Sequence, residues 1–183
     1  MSILRSCGII TKDIRSTIDR DYFFIKGNIE IPNLQYLINK IEQGINEKNN
    51  MNYTIEKLIG KMTHDKYFVN DPVFLDVFIK MLNKFNHFNK EIPYTWTLNT
   101  AWGVRQDKSD YTDEHTHVNS LGSGVLYLSD VEDHSTDFSD LNEKVEQKVG
   151  NFCFFSSFLF HNSKKVEADK PKYLIAFNLD YVS

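Results

Sequence analysis

Residues 114–130 read EHTHVNSLGSGVLYLSD: two histidines one residue apart, a small-residue hinge, and an apolar run tipped by a tyrosine. On an extended strand His115 and His117 leave the same face, so their imidazoles can converge on one ion. A solvated or hydrogen-bonded pair at a strand end would look the same, so a third ligand has to decide. His161 is the candidate. It follows the aromatic run GNFCFFSSFLF (150–160) and precedes the polar NSKK, which predicts an apolar strand ending on a metal-competent group. A histidine pair followed by a distant single histidine suits a facial metal site with open positions.

Outward from that stretch the pattern has a period of two. In PYTWTLNTAWGV (93–104), alternation puts Trp96, Leu98, Thr100, Trp102 and Val104 on one face and Thr95, Thr97, Asn99 and Ala101 on the other. The segments GVLYLSD (124–130), VGNFCFFSSFLFH (149–161) and KYLIAFNLDYV (172–182) continue the strand signal, rich in Val, Ile, Phe and Tyr. Several short strands separated by turn residues favour a sandwich or small barrel. The polar stretch 130–148, which holds His134, reads as a loop: a surface excursion, or a lid over a site.

The first half reads helical. IPNLQYLINKIEQGINEKNN (31–50) carries Leu34, Leu37, Ile38, Ile41 and Ile45 at helical spacing behind a capping Asn33. In NDPVFLDVFIKMLNKFNHFNKE (70–91), Asp71 caps the start, Pro72 takes the first helical position, and Phe74, Val77, Phe78, Met81, Leu82, Phe85 and Phe88 form one stripe. NYTIEKLIGKMT (52–63) reads as a shorter helix with Ile55, Leu58, Ile59 and Met62 inward. No repeat or low-complexity linker intervenes. The expectation is a single α+β domain, 1–183, whose helical part (1–91) packs on a β core (92–183).

Composition bounds the function. At 183 residues, 41% hydrophobic and 14% aromatic, the chain can bury a sizeable core. A net charge of −4 lacks the basic excess that neutralises phosphates, which disfavours nucleic acid as a partner. No run suggests a membrane span. Cys7 and Cys153 are far apart and form no zinc motif, and MSILRSCGII lacks the apolar core of a signal peptide; together these imply a cytoplasmic protein with reduced thiols.

Four motifs in order, AWGV, HTHVNSLGSGVLYL, VGNFCFFSSFLFHNS and KYLIAFN, resemble the iron(II)/2-oxoglutarate-dependent oxygenases, especially members common in phages and marine bacteria. The likeness runs from about Thr100 to Asn178, somewhat under half the chain. It implies a double-stranded β-helix, or jelly-roll, flanked by the N-terminal helices, with Fe(II), 2-oxoglutarate and dioxygen as cofactor and co-substrates. It also implies His115, His117 and His161 as metal ligands. Most of the superfamily has Asp or Glu where this chain has His117. Three readings follow: three imidazoles hold the metal, an acid such as Asp113 or Glu114 supplies an oxygen instead, or the site is impaired.

The family anchors the distal carboxylate of 2-oxoglutarate on an Arg or Lys about ten residues past the distal histidine, and Lys172 stands eleven past His161. Leu174, Ala176 and Asn178 would share its face. The resemblance leaves Tyr127 as a helper hydroxyl, with Asn119 and Asn178 as polar contacts to co-substrate or substrate. The oxidised substrate, a small molecule or a peptide, is not legible. Two other functions fit the pattern: a cupin-type metal protein that uses no 2-oxoglutarate, although HTHVNSLGSG lacks the glutamate such proteins carry, and a non-catalytic jelly-roll module.

Overall fold

A computed structural model describes residues 22–48, 58–88, 95–117 and 119–182. In chain order these form β1 (Phe24–Asn28), α1 (Leu34–Lys48), β2 (Leu58–Ile59), β3 (Lys61–Met62), α2 (Pro72–Phe88), β4 (Thr95–Gln106), β5 (Tyr111–His115), β6 (Gly122–Tyr127), β7 (Ser135–Phe138), β8 (Glu143–Glu146), β9 (Asn151–Ser156), β10 (His161–Ser163) and β11 (Lys172–Val182). Two antiparallel sheets result. The larger has the order β1-β9-β6-β11-β4-β3 and the smaller β2-β5-β10-β7-β8. Among the described residues no helix is long and apolar enough to cross a membrane.

The helices cover the outer face of the larger sheet. The Asp71 carboxylate accepts the N–H groups of Val73 and Phe74 at 3.1 and 2.9 Å, satisfying donors that the first turn of α2 leaves unpaired. Phe74, Val77, Phe78, Met81 and Phe85 of α2 and Leu37 and Ile41 of α1 pack there against Ala101, Phe154, Ile175 and Phe177. α1 approaches so closely that a Cβ on Gly103 would collide with Ile41. The inner face meets the smaller sheet in a second apolar cluster built on Phe24, Trp102, Val125, Tyr127, Phe138, Phe155 and Leu174.

Several elements depart from the sequence expectation. The described end of the 52–63 segment is strand, not helix: Gly60, at a φ of 146°, breaks the helical path between β2 and β3 in a conformation that L side chains avoid. Residues 52–57 lie outside the described residues. The half predicted helical also supplies β1, which completes the larger sheet at its edge. The polar stretch 130–148 contains β7 and β8, and it buries Phe138, Leu141 and Val145 between the sheets.

Strict alternation along 95–104 also fails. In the pairing with β11, Thr100 faces Asn178 but Leu98 faces Leu179, so Asn99 is the extra residue of a bulge. Leu98 and Trp96 therefore pack with the helix-side core, whereas Thr100, Trp102 and Val104 turn to the interior.

Phe177 touches Phe74, Phe78 and Phe154 at ring-centre distances of 5.3–6.1 Å and is completely buried. Phe177→Ala is expected to lower stability by about 3–5 kcal/mol, and the exposed Ile79→Ala to change it by no more than about 0.5 kcal/mol. Chemical denaturation of both variants checks this.

Candidate metal centre

His115 ends β5 and His161 begins β10, and the two stand directly opposite each other in the antiparallel pair. The long apolar strand predicted to end on His161 instead stops at Ser156 and crosses to the smaller sheet, with the Leu159 N–H bonded to the Ser156 carbonyl. His117 lies just past β5, where its N–H donates to the Ser157 carbonyl at 2.7 Å. Its ring therefore joins the others through a turn tied to the chain before His161, rather than through strand alternation.

One ligand atom from each of the three histidines lies within 4.8 Å of the other two. The His117 and His161 Nε2 atoms are 3.3 Å apart, close to the about 3.0 Å that separates neighbouring ligands on a metal with bonds of roughly 2.1 Å at right angles. Backbone carbonyls set the tautomers. Nδ1–H of His115 donates to the Asp113 carbonyl at 2.8 Å, and Nδ1–H of His161 to the Leu159 carbonyl at 3.0 Å. A carbonyl only accepts, so each Nε2 keeps its lone pair for an ion.

Burial, then the neighbouring His115, lowers the His117 pKa to about 3, and burial first lowers His161 well below its usual value. Both are neutral near pH 7, the form a metal binds. Phe155 and Phe138 pack on His161 at 4.7 and 5.5 Å, and Trp102 on His117 at 6.1 Å, between ring centres. Asp113 and Glu114 are exposed, and among the described residues no carboxylate joins the cluster.

The imidazoles open into a cavity of about 330 Å³ between the sheets. Lys172 lines it, is only 1% exposed, and donates to Ser163 Oγ at 3.1 Å. Burial lowers its pKa to about 7, and among the described residues no carboxylate is paired with it. A buried cation without a counter-charge suits an anionic guest. Leu174, Ala176 and Asn178 share its face as predicted, and the Asn178 side chain accepts from Ser123 Oγ at 2.8 Å.

The remaining predicted residues lie apart from the lining. Tyr127 is buried behind the wall and donates to Thr136 Oγ1 at 2.7 Å, and it is Thr136 that faces the cavity. Asn119 is exposed in the turn after His117. The lining also includes Thr112, Ser163, Thr100 and Asp65, which the sequence reading did not pick. Ser163 carried a signal, being two strand positions from His161, and Thr100 another, being on the strand face of Trp102 and Val104. His134, expected in a loop, is buried and donates through Nε2–H to the Lys164 carbonyl at 3.0 Å; burial, then the Lys172 charge, lowers its pKa to about 4.

This architecture is shared with solved oxygenases. A viral collagen prolyl hydroxylase from Paramecium bursaria Chlorella virus-1, solved with 2-oxoglutarate, superposes with a TM-score of 0.64 at 18% identity, over 88% of this chain and 96% of that one. HygX from Streptomyces hygroscopicus, with nickel and 2-oxoglutarate bound, gives 0.60 at 12% over 87% and 82%. An oxidoreductase of the 2-oxoglutarate–Fe(II) oxygenase family from Burkholderia pseudomallei gives 0.60 at 10% over 86% and 84%. The chain thus has the fold of iron(II)/2-oxoglutarate oxygenases. Neither a family model nor a curated protein matches its sequence.

The Lys172 pKa makes stability depend on pH. Folded, it loses its proton near pH 7; unfolded, near 10.5. Between these values the unfolded chain binds the extra proton, so this residue makes stability rise with pH across that window. Denaturation from pH 7 to 10 is expected to show the rise in the protein free of ligands, and Lys172→Met to remove it.

Proposed function

We propose that this protein is an iron(II)- and 2-oxoglutarate-dependent oxygenase, its two sheets forming a double-stranded β-helix around the cavity. One observation carries the reading: three imidazoles with converging ligand atoms share a cavity with a buried lysine that has no counter-charge among the described residues. In this reading the Nε2 atoms of His115, His117 and His161 hold the metal. Lys172 and Ser163 receive the distal carboxylate of 2-oxoglutarate, and the guest's charge restores the lysine's proton. Tyr127 acts through Thr136, fixing a hydroxyl in the cavity wall. Trp102, Phe138 and Phe155 keep water from the histidines.

When bound, iron and 2-oxoglutarate supply the oxidation: dioxygen is consumed, 2-oxoglutarate is decarboxylated to succinate, and a substrate C–H bond is oxidised. The chain's contribution is placement, water exclusion and charge. Three neutral ligands leave the metal's full positive charge uncompensated by protein, and the dianionic co-substrate offsets it. A cupin-type protein would account for the imidazoles but leaves the buried Lys172 without a role.

Supplied with Fe(II), 2-oxoglutarate and oxygen, the protein is expected to release succinate, and a chelator to stop it; a metal-loaded protein that releases none contradicts the reading. His161→Ala is expected to lose bound metal while its circular dichroism spectrum stays unchanged. Lys172→Ala is expected to keep the metal but bind 2-oxoglutarate about 10–100-fold more weakly by anaerobic calorimetry, the loss of one charge-assisted contact.

A further inference from the structure

The cavity's charged side chains are segregated. On β11, Lys172 and Asn178 both face it, and at about 3.3 Å per residue their backbones are about 20 Å apart. The histidines sit between, since Trp102, which packs on His117, pairs with Ala176. Next to Thr100, which pairs with Asn178, is Asp65, exposed at the cavity's rim with its backbone against Ala101.

Asp65 does not hang on a free loop. Its carbonyl accepts the Ala101 N–H at 2.8 Å, the Phe68 N–H donates to the Ala101 carbonyl at 3.0 Å, and the Thr63 N–H donates to the Gly103 carbonyl at 3.0 Å. The Thr63 hydroxyl in turn accepts the Gly103 N–H at 3.0 Å. These bonds hold residues 63–68 along the edge of β4. Among the described residues Asp65 supplies the only carboxylate in the cavity lining, and no cation is paired with it. Beside it the Thr100 hydroxyl is buried and lacks a hydrogen-bond partner among the described residues.

We infer that the substrate carries a positively charged nitrogen, an ammonium or guanidinium group, received by the Asp65 carboxylate and the Thr100 hydroxyl across the histidines from Lys172. The inference rests on the oxygenase reading, which assigns the Lys172 end to 2-oxoglutarate and leaves the Asp65 end to the substrate. A cation with several N–H donors matches two acceptors set side by side, and an anion would meet repulsion there. Asp65 thereby determines specificity and takes no part in holding metal or co-substrate.

The test uses the protein loaded with Fe(II) and 2-oxoglutarate without oxygen, titrated calorimetrically with two pairs of near-equal shape that differ in charge: N-propylguanidinium against N-propylurea, and n-butylammonium against 1-butanol. The cationic member of at least one pair is expected to bind about tenfold more tightly than its neutral partner. In Asp65→Asn that ratio is expected to fall to about one, with iron content and 2-oxoglutarate affinity unchanged. A ratio near one in the wild type, no binding by either cationic probe, or a preference that survives Asp65→Asn overturns the inference and leaves the oxygenase reading standing. A protein that takes up neither iron nor 2-oxoglutarate overturns both.

Discussion

The antiparallel pairing of β5 with β10 is the constraint on which the site depends. It sets His161 directly opposite His115, although the chain between them crosses to the larger sheet and back twice. The backbone bond from His117 to Ser157 then closes the third imidazole onto the pair. Because side chains alternate along a strand, a slip of one residue in β10 would turn His161 out of the interior. The pinned Nδ1 atoms of His115 and His161 depend on the same backbone, so register fixes both where the imidazoles meet and which nitrogen these two present.

Burial makes this arrangement both possible and costly. Histidine and lysine disfavour a charged state in an apolar interior, and here the response differs by residue. The His117 and His161 imidazoles lose their protons, which leaves them in the form a metal binds. Burial lowers the Lys172 pKa to about 7. Phe138, Phe155 and Trp102 produce this low-polarity setting, while Ser163 gives Lys172 one neutral acceptor. The packing that holds the two sheets together therefore also sets the protonation states of His117, His161 and Lys172.

Much of this was legible in the sequence because it depends on local periodicity. The α2 stripe and its Asp71-Pro72 start and the strand character of 172–182 are properties of short stretches, whereas the order His115, His117, His161, Lys172 was read from the family resemblance. What was missed depends on pairing. A single residue, Asn99, inverts the face of everything before it in β4, and only its partner on β11 reveals that. β7 and β8 are four residues each, too short and polar to stand out from a loop until β10 organises them. Asp65 reaches the cavity through backbone bonds to β4 from a segment with no regular structure. Tyr127 was singled out as a direct contact; its hydroxyl is taken by Thr136, an assignment that no pattern within 124–130 announces.

Crystals grown with manganese(II) and 2-oxoglutarate, with data collected at the manganese absorption edge, test the central claim most directly. The account predicts one strong anomalous peak in the cavity, within about 2.3 Å of the Nε2 atoms of His115, His117 and His161 together. A peak bonded to only two of these imidazoles and a carboxylate, or found outside the cavity, would contradict it.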